Sequence, residues 1–270
     1  MKPARRRIPA TLVAAATLAS LALGESAGVA PPLPRAAASV PVGLPSFGDP
    51  LAIDNAWCPF HPGGVKVYRG FEGTARVTVL EQHLPATRSF EWGGGTVECR
   101  TVRESKFESG ACTEISLSWF AQADDGSVWY FGEIAEPLPP LPGEPDPDPD
   151  DEPGDTESDG WVVGLAAEDD PPGTASATDP FLFMPANPER GDTWKPEDLP
   201  GVVDETDRVV RAGVPIRTAA GRFPGCIEIR QTTVLDPGYE TKWYAPGVGV
   251  VRQRGRGETL ALQASTLLRR

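Results

Sequence analysis

The chain has 270 residues, with 38 acidic and 25 basic side chains and a net charge of −13 at pH 7. Nucleic-acid binding needs a basic face that neutralises phosphates, so this composition disfavours a nucleic-acid partner. Nine of the carboxylates lie within residues 144–159, which contain no lysine or arginine, and the remainder of the chain is nearly balanced in charge.

The N-terminus has the features of an export signal. Residues 1–24 carry four basic side chains within the first seven positions, followed by an apolar, alanine-rich run that ends in small residues. We predict cleavage before Glu25, with Ala27 and Ala30 as alternative ends, and a secreted or periplasmic protein. An uncleaved membrane anchor is the alternative, although the run is short for a span of roughly 20 residues. No transmembrane segment is expected after cleavage.

Residues 25–53 are rich in proline and alanine, which predicts a disordered, extended tether. A single β domain is expected over residues 54–265, interrupted by an acidic low-complexity insertion at 137–160. In that insertion proline alternates with aspartate, a pattern typical of solvated, self-repelling chain. Calcium binding is the alternative, but the ligand spacing and the turn glycine of an EF-hand loop are missing.

The stretch from Ile115 to Glu133 organises the rest of the chain. Two aromatic-rich runs flank Asp125-Gly126, a dipeptide that predicts a two-residue type I′ turn and hence a tight β-hairpin. Large rings then lie on both faces of the ribbon, which must therefore be buried on both faces. The predicted cross-strand pairs are Phe120 with Phe131, Ala121 with Tyr130 and Trp119 with Gly132.

Short apolar runs between turn residues indicate thirteen strands and almost no helix. They are Val65–Tyr68, Ala75–Leu80, Val97–Lys106, Cys112–Gln122, Val128–Glu133, Trp161–Leu165, Pro180–Met184, Thr193-Trp194, Val209–Arg217, Cys226–Val234, Tyr239–Tyr244, Val248–Arg252 and Glu258–Gln263. The charged segment Gly201–Asp207 lacks an apolar stripe and is predicted to be a loop. This pattern predicts a mainly β fold, a single antiparallel meander that forms a curved open barrel or a two-layer sandwich.

Four cysteines in an exported protein imply two disulfides, for which three connectivities are possible. Ser109-Gly110 predicts a two-residue turn that pairs Cys112 with Phe107 and Cys99 with Phe120. The sulfurs of Cys99 and Cys112 would then lie several residue pairs apart on one ladder, too far to bond.

No catalytic, cofactor or metal motif is present, so we expect a protein that is not an enzyme and has no cofactor. His61 precedes Pro62-Gly63 and is expected in an exposed turn. A spatially assembled hydrolase site that uses His83 or His61 is the enzymatic alternative. Asp124-Asp125 is expected at a hairpin tip and Gly93–Gly95 in a hairpin loop. The seven tryptophans are expected in the core or on a concave aromatic wall that holds a glycan or acyl chain.

Four blocks of the sequence resemble a family of exported bacterial β proteins to which no activity is attached. The blocks are NAWCPFHPGGVKVYRG at 55–70, WFAQADDGSVWYFGE at 119–133, FLFMPANPERGDTW at 181–194 and KWYAPGVGVV at 242–251. The resemblance implies a disulfide between Cys99 and Cys226, two positions where family members tend to have cysteine. Cys58 and Cys112 then form a second disulfide that is particular to this chain. Both bridges would close long loops. The acidic insertion is longer than the corresponding loop of the family.

Tyr244-Ala245-Pro246-Gly247 also resembles periplasmic proteins whose open half-barrel holds lipid-like molecules. We therefore expect a disulfide-braced, non-enzymatic exported protein that binds an apolar or lipid-like small molecule. The alternatives are a structural or protein-interaction module of the cell envelope, and a His-dependent hydrolase.

Overall fold

The computed structural model describes residues 40–41, 43–138, 160–234, 238–255 and 257–268. The predicted signal peptide, residues 25–39 of the tether and residues 139–159 of the acidic insertion lie outside the described residues. Fourteen strands form one sheet: β1 (Val65–Glu72), β2 (Ala75–Trp92), β3 (Gly95–Glu108), β4 (Ala111–Gln122), β5 (Val128–Pro137), β6 (Trp161–Val163), β7 (Ala175–Ala177), β8 (Phe181–Met184), β9 (Thr193–Leu199), β10 (Val203–Thr218), β11 (Gly221–Thr233), β12 (Glu240–Ala245), β13 (Gly249–Gly255) and β14 (Glu258–Ser265).

The sheet consists of two meanders, which are joined through the first and the last strand of the chain. Strands β1 to β7 follow one another as neighbours, strands β9 to β14 do the same, and β1 pairs with β14. Every pairing is antiparallel except that of β6 with β7. The result is nearly a closed barrel, which confirms the predicted open barrel of antiparallel strands.

The barrel has one unsealed seam, between β8 and β9. One edge of β5 pairs with β4. The other edge pairs with β8 along Val128–Tyr130 and with β6 along Gly132 and Glu133. Side chains connect the two edges: the indole N–H of Trp161 donates to Glu197 Oε1 (2.7 Å), and that of Trp194 donates to the carbonyl oxygen of Phe183 (3.1 Å).

The β4–β5 hairpin is buried on both faces, as predicted, but its turn differs from the prediction. Gly126 has φ = 85° whereas Asp125 does not have a positive φ, and the Ala123 N–H bonds to the Ser127 carbonyl oxygen. This is a three-residue loop that ends in a left-handed glycine, not a type I′ turn.

The longer loop shifts the register of the hairpin by one residue next to the turn. Phe120 pairs with Tyr130 and Ala121 with Trp129, so the pairs predicted for these two residues are wrong. A bulge at Phe131 restores the predicted pairing of Trp119 with Gly132. In the β3–β4 hairpin, Phe107 pairs with Cys112 as expected, and a bulge moves Phe120 opposite Arg100 instead of Cys99.

Two aromatic clusters cover the two faces of this ribbon. On one face Phe131 lies 5.5 Å from both Phe90 and Phe47. On the other, Phe120 stacks on Tyr130 at 4.6 Å, and Phe183 packs against both. Phe47 belongs to the segment assigned to the tether by composition, so ordered contacts begin before Asp54.

Thirteen of the fourteen strands coincide with predicted runs, and the additional strand is the three-residue β7. The predicted loop Gly201–Asp207 is wrong, because β10 begins at Val203. Glu205 and Asp207 occupy alternate positions of this strand and are buried, whereas Asp204 bonds to Lys195 on the other face. Among the described residues, acceptors are found for the indole N–H groups of five tryptophans: Trp92, Trp129, Trp161, Trp194 and Trp243.

Among the glycines in strands, Gly70 of β1 lies closest to the backbone of a neighbouring strand, which is β14. A Cβ at Gly70 would lie 1.6 Å from the Thr259 carbonyl oxygen, whereas a Cβ at Gly95 would meet nothing within 4 Å. We expect Gly70→Ala to lower the free energy of unfolding by about 3 kcal/mol or more, because the two strands must separate. The matched Gly95→Ala should change it by less than about 0.5 kcal/mol. Urea unfolding followed by tryptophan fluorescence measures both, and equal effects would contradict this account of the closure.

Candidate binding cavity inside the barrel

A cavity of about 110 Å³ lies inside the barrel, between the first four strands, β8 and the β12–β13 hairpin. Its apolar wall contains Ile53, Trp57, Phe60, Val102, Phe120 and Phe183. Its polar wall contains Lys66, Tyr68, Glu81, His83, Glu104 and Lys242. One ordered water needs only ~10–15 Å³, so the space is large enough for a small organic molecule.

One wall of the cavity is the cap loop, residues 53–60, which precedes β1. Buried Asn55 holds this loop in place. Its side-chain amide donates to the carbonyl oxygens of Gly126 (2.9 Å) and Pro185 (3.1 Å), and its Oδ1 accepts from the backbone N–H of Trp57 (2.8 Å). The cap loop is therefore fixed to the organising hairpin and to the loop after β8.

Glu81 is the hub of the polar wall. Its Oε1 lies 2.7 Å from Lys66 Nζ and 3.0 Å from His83 Nε2, and its Oε2 lies 3.2 Å from the Tyr68 hydroxyl. Burial alone would raise the pKa of Glu81, but Lys66 and His83 lower that pKa to about 2. Glu81 is therefore an anion at neutral pH, and Lys66 balances its charge.

Glu104 differs from Glu81, although the two residues pair directly across β2 and β3. Burial raises the pKa of Glu104 to about 8, and the nearby carboxylates of Glu81 and Glu133 add to the effect. Like charges that face each other across a ladder repel, and the available cation lies nearer Glu81. Glu104 is consequently mostly protonated at neutral pH.

More carboxylates extend this polar interior toward the seam. Glu197 and Glu205 pair directly between β9 and β10, and burial together with Glu205 raises the pKa of Glu197 well above its usual range. Burial likewise raises the pKa of Asp207, on β10, to about 7. It also raises the pKa of Glu258 to about 7, but this residue lies on β14, away from the seam. Lys242 is the buried cation of this region, and it lies 3.5 Å from Glu240 Oε1.

Of the two histidines, only His83 reaches the cavity. Its Nδ1 accepts from the His61 backbone N–H (3.0 Å), so its Nε2 carries the proton and donates to Glu81. Its ring stacks on Phe60 at 4.5 Å. Both ring nitrogens are therefore engaged. His61 is exposed in a turn, as predicted.

All four cysteines are free thiols, so the structure differs from the two predicted bridges. Cys99 belongs to the core cluster around the organising hairpin, and Cys226 belongs to the second core cluster. Cys58 lies in the cap loop, where burial raises the pKa of its thiol to about 12, while Cys112 lies at the β3–β4 turn. The pairing of Cys99 with Cys226 and of Cys58 with Cys112 stays a prediction, which non-reducing peptide mapping tests.

The acidic pair Asp124-Asp125 and the glycine run at Gly93–Gly95 lie in or next to turns, as predicted from the sequence. Asp124 accepts hydrogen bonds from the Ser46 hydroxyl (2.7 Å) and the Gly48 N–H (2.6 Å), and Asp125 accepts one from the Ser127 N–H (2.9 Å). Gly93 and Gly94, both with positive φ, form the β2–β3 turn. Trp57 is the one tryptophan that lines the cavity.

The sequence patterns did not predict the polar wall, although alternating ionisable residues in two strands give a signal for it. Glu240, Lys242 and Tyr244 alternate along β12, as Glu81 and His83 do at the end of an alternating apolar run in β2. Ionisable residues at every second position normally indicate a solvent-facing side of a sheet. Only closure of the barrel turns this side inward.

Comparison of the chain with protein-family profiles, with curated proteins and with solved structures finds no match. The described residues contain no helix of the length and hydrophobicity that membrane crossing requires. Within the same residues, no group of three or more histidine, cysteine, aspartate or glutamate side chains is arranged to hold a metal ion.

The buried carboxyls predict an unusual pH dependence of stability. A folded-state pKa of about 8 for Glu104, against ~4.3 when unfolded, means that the folded protein binds the extra proton between these values. Stability therefore falls as pH rises through this window, by roughly 1.4 kcal/mol per pH unit for this group. Glu81, with its lowered pKa, acts in the opposite sense below pH ~4.3, where stability falls as the pH falls.

We expect Glu104→Gln to remove the first contribution. Relative to wild type, the variant should gain stability steadily from pH 5 to about 8 and then level off, as measured by urea unfolding at each pH. Glu258→Gln is the matched control, and its gain should level off at about pH 7. A stability difference between Glu104→Gln and wild type that stays constant from pH 5 to 8 would contradict the assignment.

Proposed function

We propose that the protein is an exported, non-enzymatic binding protein that carries a small amphipathic molecule inside its barrel. The observation that carries this proposal is the cavity of about 110 Å³ with an aromatic wall on one side and an ionisable wall on the other. Pockets of this kind, mostly apolar with a few convergent polar groups, are typical of small-molecule sites.

The two walls indicate the general shape of the ligand. The rings of Phe60, Phe120 and Phe183 favour a flat apolar body the size of one or two rings. Tyr68, Glu104 and Lys242 offer polar contacts at the opposite side, where a purely apolar molecule would leave polar groups without partners. The supported ligand class is thus narrower than the lipid-like molecule expected from the sequence.

The cavity also bears on the two alternatives. An envelope module that acts only as a scaffold is expected to have a filled interior, so the open space favours binding. A hydrolase that used His83 as its base would need a ring nitrogen free to accept a proton, and both nitrogens already have partners.

The proposal predicts saturable binding of a neutral, ring-sized probe. We expect 1-naphthylmethanol to bind with 1:1 stoichiometry in isothermal titration calorimetry. Val102→Phe should weaken binding about tenfold or more, a loss of about 1.4 kcal/mol, because the larger ring occupies the cavity.

Val67→Phe is the matched control for this experiment. Val67 neighbours Lys66 on β1 and therefore projects to the opposite face of the sheet, so this variant should keep wild-type affinity. Thermal unfolding of each variant verifies that it is folded. Absence of saturable heat with the folded wild-type protein would contradict the proposed function.

A further inference from the structure

The polar end of the ligand can be specified further, an inference that rests on the proposed function. Glu104 lies in the middle of the polar wall, on β3, between Glu81 of β2 and Ser116 of β4. Its side chain faces the cavity. Within the part of the chain that the structure describes, its carboxyl group forms no hydrogen bond or ion pair with another residue.

The two buried cations near Glu104 are already committed to other groups. Lys66 Nζ lies 2.7 Å from Glu81 Oε1. Lys242 Nζ lies 3.5 Å from Glu240 Oε1 and donates to Gln231 Oε1 at 3.1 Å. Neither ammonium forms an ion pair with Glu104, so among the described residues the ionised form of this carboxyl has no cationic partner.

We propose that Glu104 binds a protonated primary amine of the ligand, whose ring-sized apolar body packs against Phe60, Phe120 and Phe183. A charge-assisted hydrogen bond from an ammonium to a carboxylate is among the strongest single contacts that a buried site offers. The faces of the surrounding aromatic rings also attract cations. A carboxylate-bearing ligand would instead place a second negative charge beside Glu81.

Binding of such an amine is coupled to loss of a proton. The charged and titratable groups that face Glu104 are Glu81 from β2, Lys66 and Tyr68 from β1, Glu133 from β5 and Lys242 from β12. In the free protein burial and the two carboxylates raise the pKa of Glu104 to about 8. The amine binds the ionised form, so its affinity should rise close to tenfold per pH unit from pH 6 to 7 and level off near pH 8.

The test compares two probes of nearly equal shape, 1-naphthylmethylamine and 1-naphthylmethanol, by calorimetry with the full chain at pH 6 and pH 8. For wild-type protein we expect the amine to bind at least about tenfold more tightly than the alcohol at pH 8, and this preference should shrink at pH 6. The affinity of the alcohol should not change with pH in this way, because it carries no charge.

Two variants locate the effect. Glu104→Gln should remove the preference for the amine, so that the amine and the alcohol bind this variant with affinities within about threefold of each other at pH 8. Glu258→Gln removes another buried carboxyl that does not line the cavity, so it should keep the preference. If Glu104→Gln does not fold, the pH dependence of the amine preference in wild-type protein still decides the question.

The outcomes separate this inference from the proposed function. If neither probe binds, the proposed function is wrong. If the alcohol binds and the amine binds no more tightly at pH 8, or if the preference persists in folded Glu104→Gln, the role of Glu104 is wrong while the cavity keeps its proposed use.

Discussion

The ion pair between Lys66 and Glu81 is the interaction on which the barrel interior depends. These residues face each other directly across β1 and β2, and Tyr68 and His83, one step further along the same strands, direct polar atoms to the same carboxylate. A buried pair of this kind contributes little net stability, but removal of either partner leaves an uncompensated charge, which costs several kcal/mol. Removal of either partner is therefore expected to destabilise the first hairpin from inside the barrel.

The Lys66–Glu81 pair also affects the ionisation of Glu104 on the neighbouring strand β3. Because Lys66 is committed to Glu81, Glu104 on β3 faces an existing anion without a cation of its own. Similar crowding occurs between Glu197 and Glu205 on the other side of the barrel. Many carboxyls in a space with few cations must stay partly protonated. The net charge of the interior therefore changes with pH, as these groups exchange protons with the solvent.

The cavity follows from where the apolar residues lie. A cluster of five aromatic rings packs on the outer face of the β4–β5 ribbon, with Phe90, Trp119 and Phe131 covered by Phe47 and Trp92. Much of the apolar packing that stabilises the fold is thus outside the barrel. Ionised and hydrogen-bonded side chains on the inner wall cannot close up as tightly as apolar ones without losing partners, and space remains between them.

Local sequence signals predicted the strands but not their closure. Alternation and turn residues located thirteen strands and the ribbon with two buried faces. The left-handed Gly126 and the bulge at Phe131 could not be read from Asp125-Gly126, because this dipeptide suits both two- and three-residue loops. The long-range pairing of β1 with β14 has no local signal at all. Without it the charged residues at the start of β10 predict a loop, the alternating charges of β12 give no sign of an interior, and the polar wall is not identified.

The incomplete closure also bears on access to the cavity. Phe183 belongs to β8, whose ladder bonds go to β5, and its ring forms part of the apolar wall against Phe120 at 4.8 Å. The connections from this region to β9 are side-chain hydrogen bonds made by Trp161 and Trp194. Separating strands elsewhere would break a continuous backbone ladder, whereas here two indole contacts and local packing oppose the movement. The strand that supplies Phe183 to the aromatic wall is therefore joined to β9 by side chains and not by a backbone ladder, so opening the barrel at this seam breaks no ladder bonds.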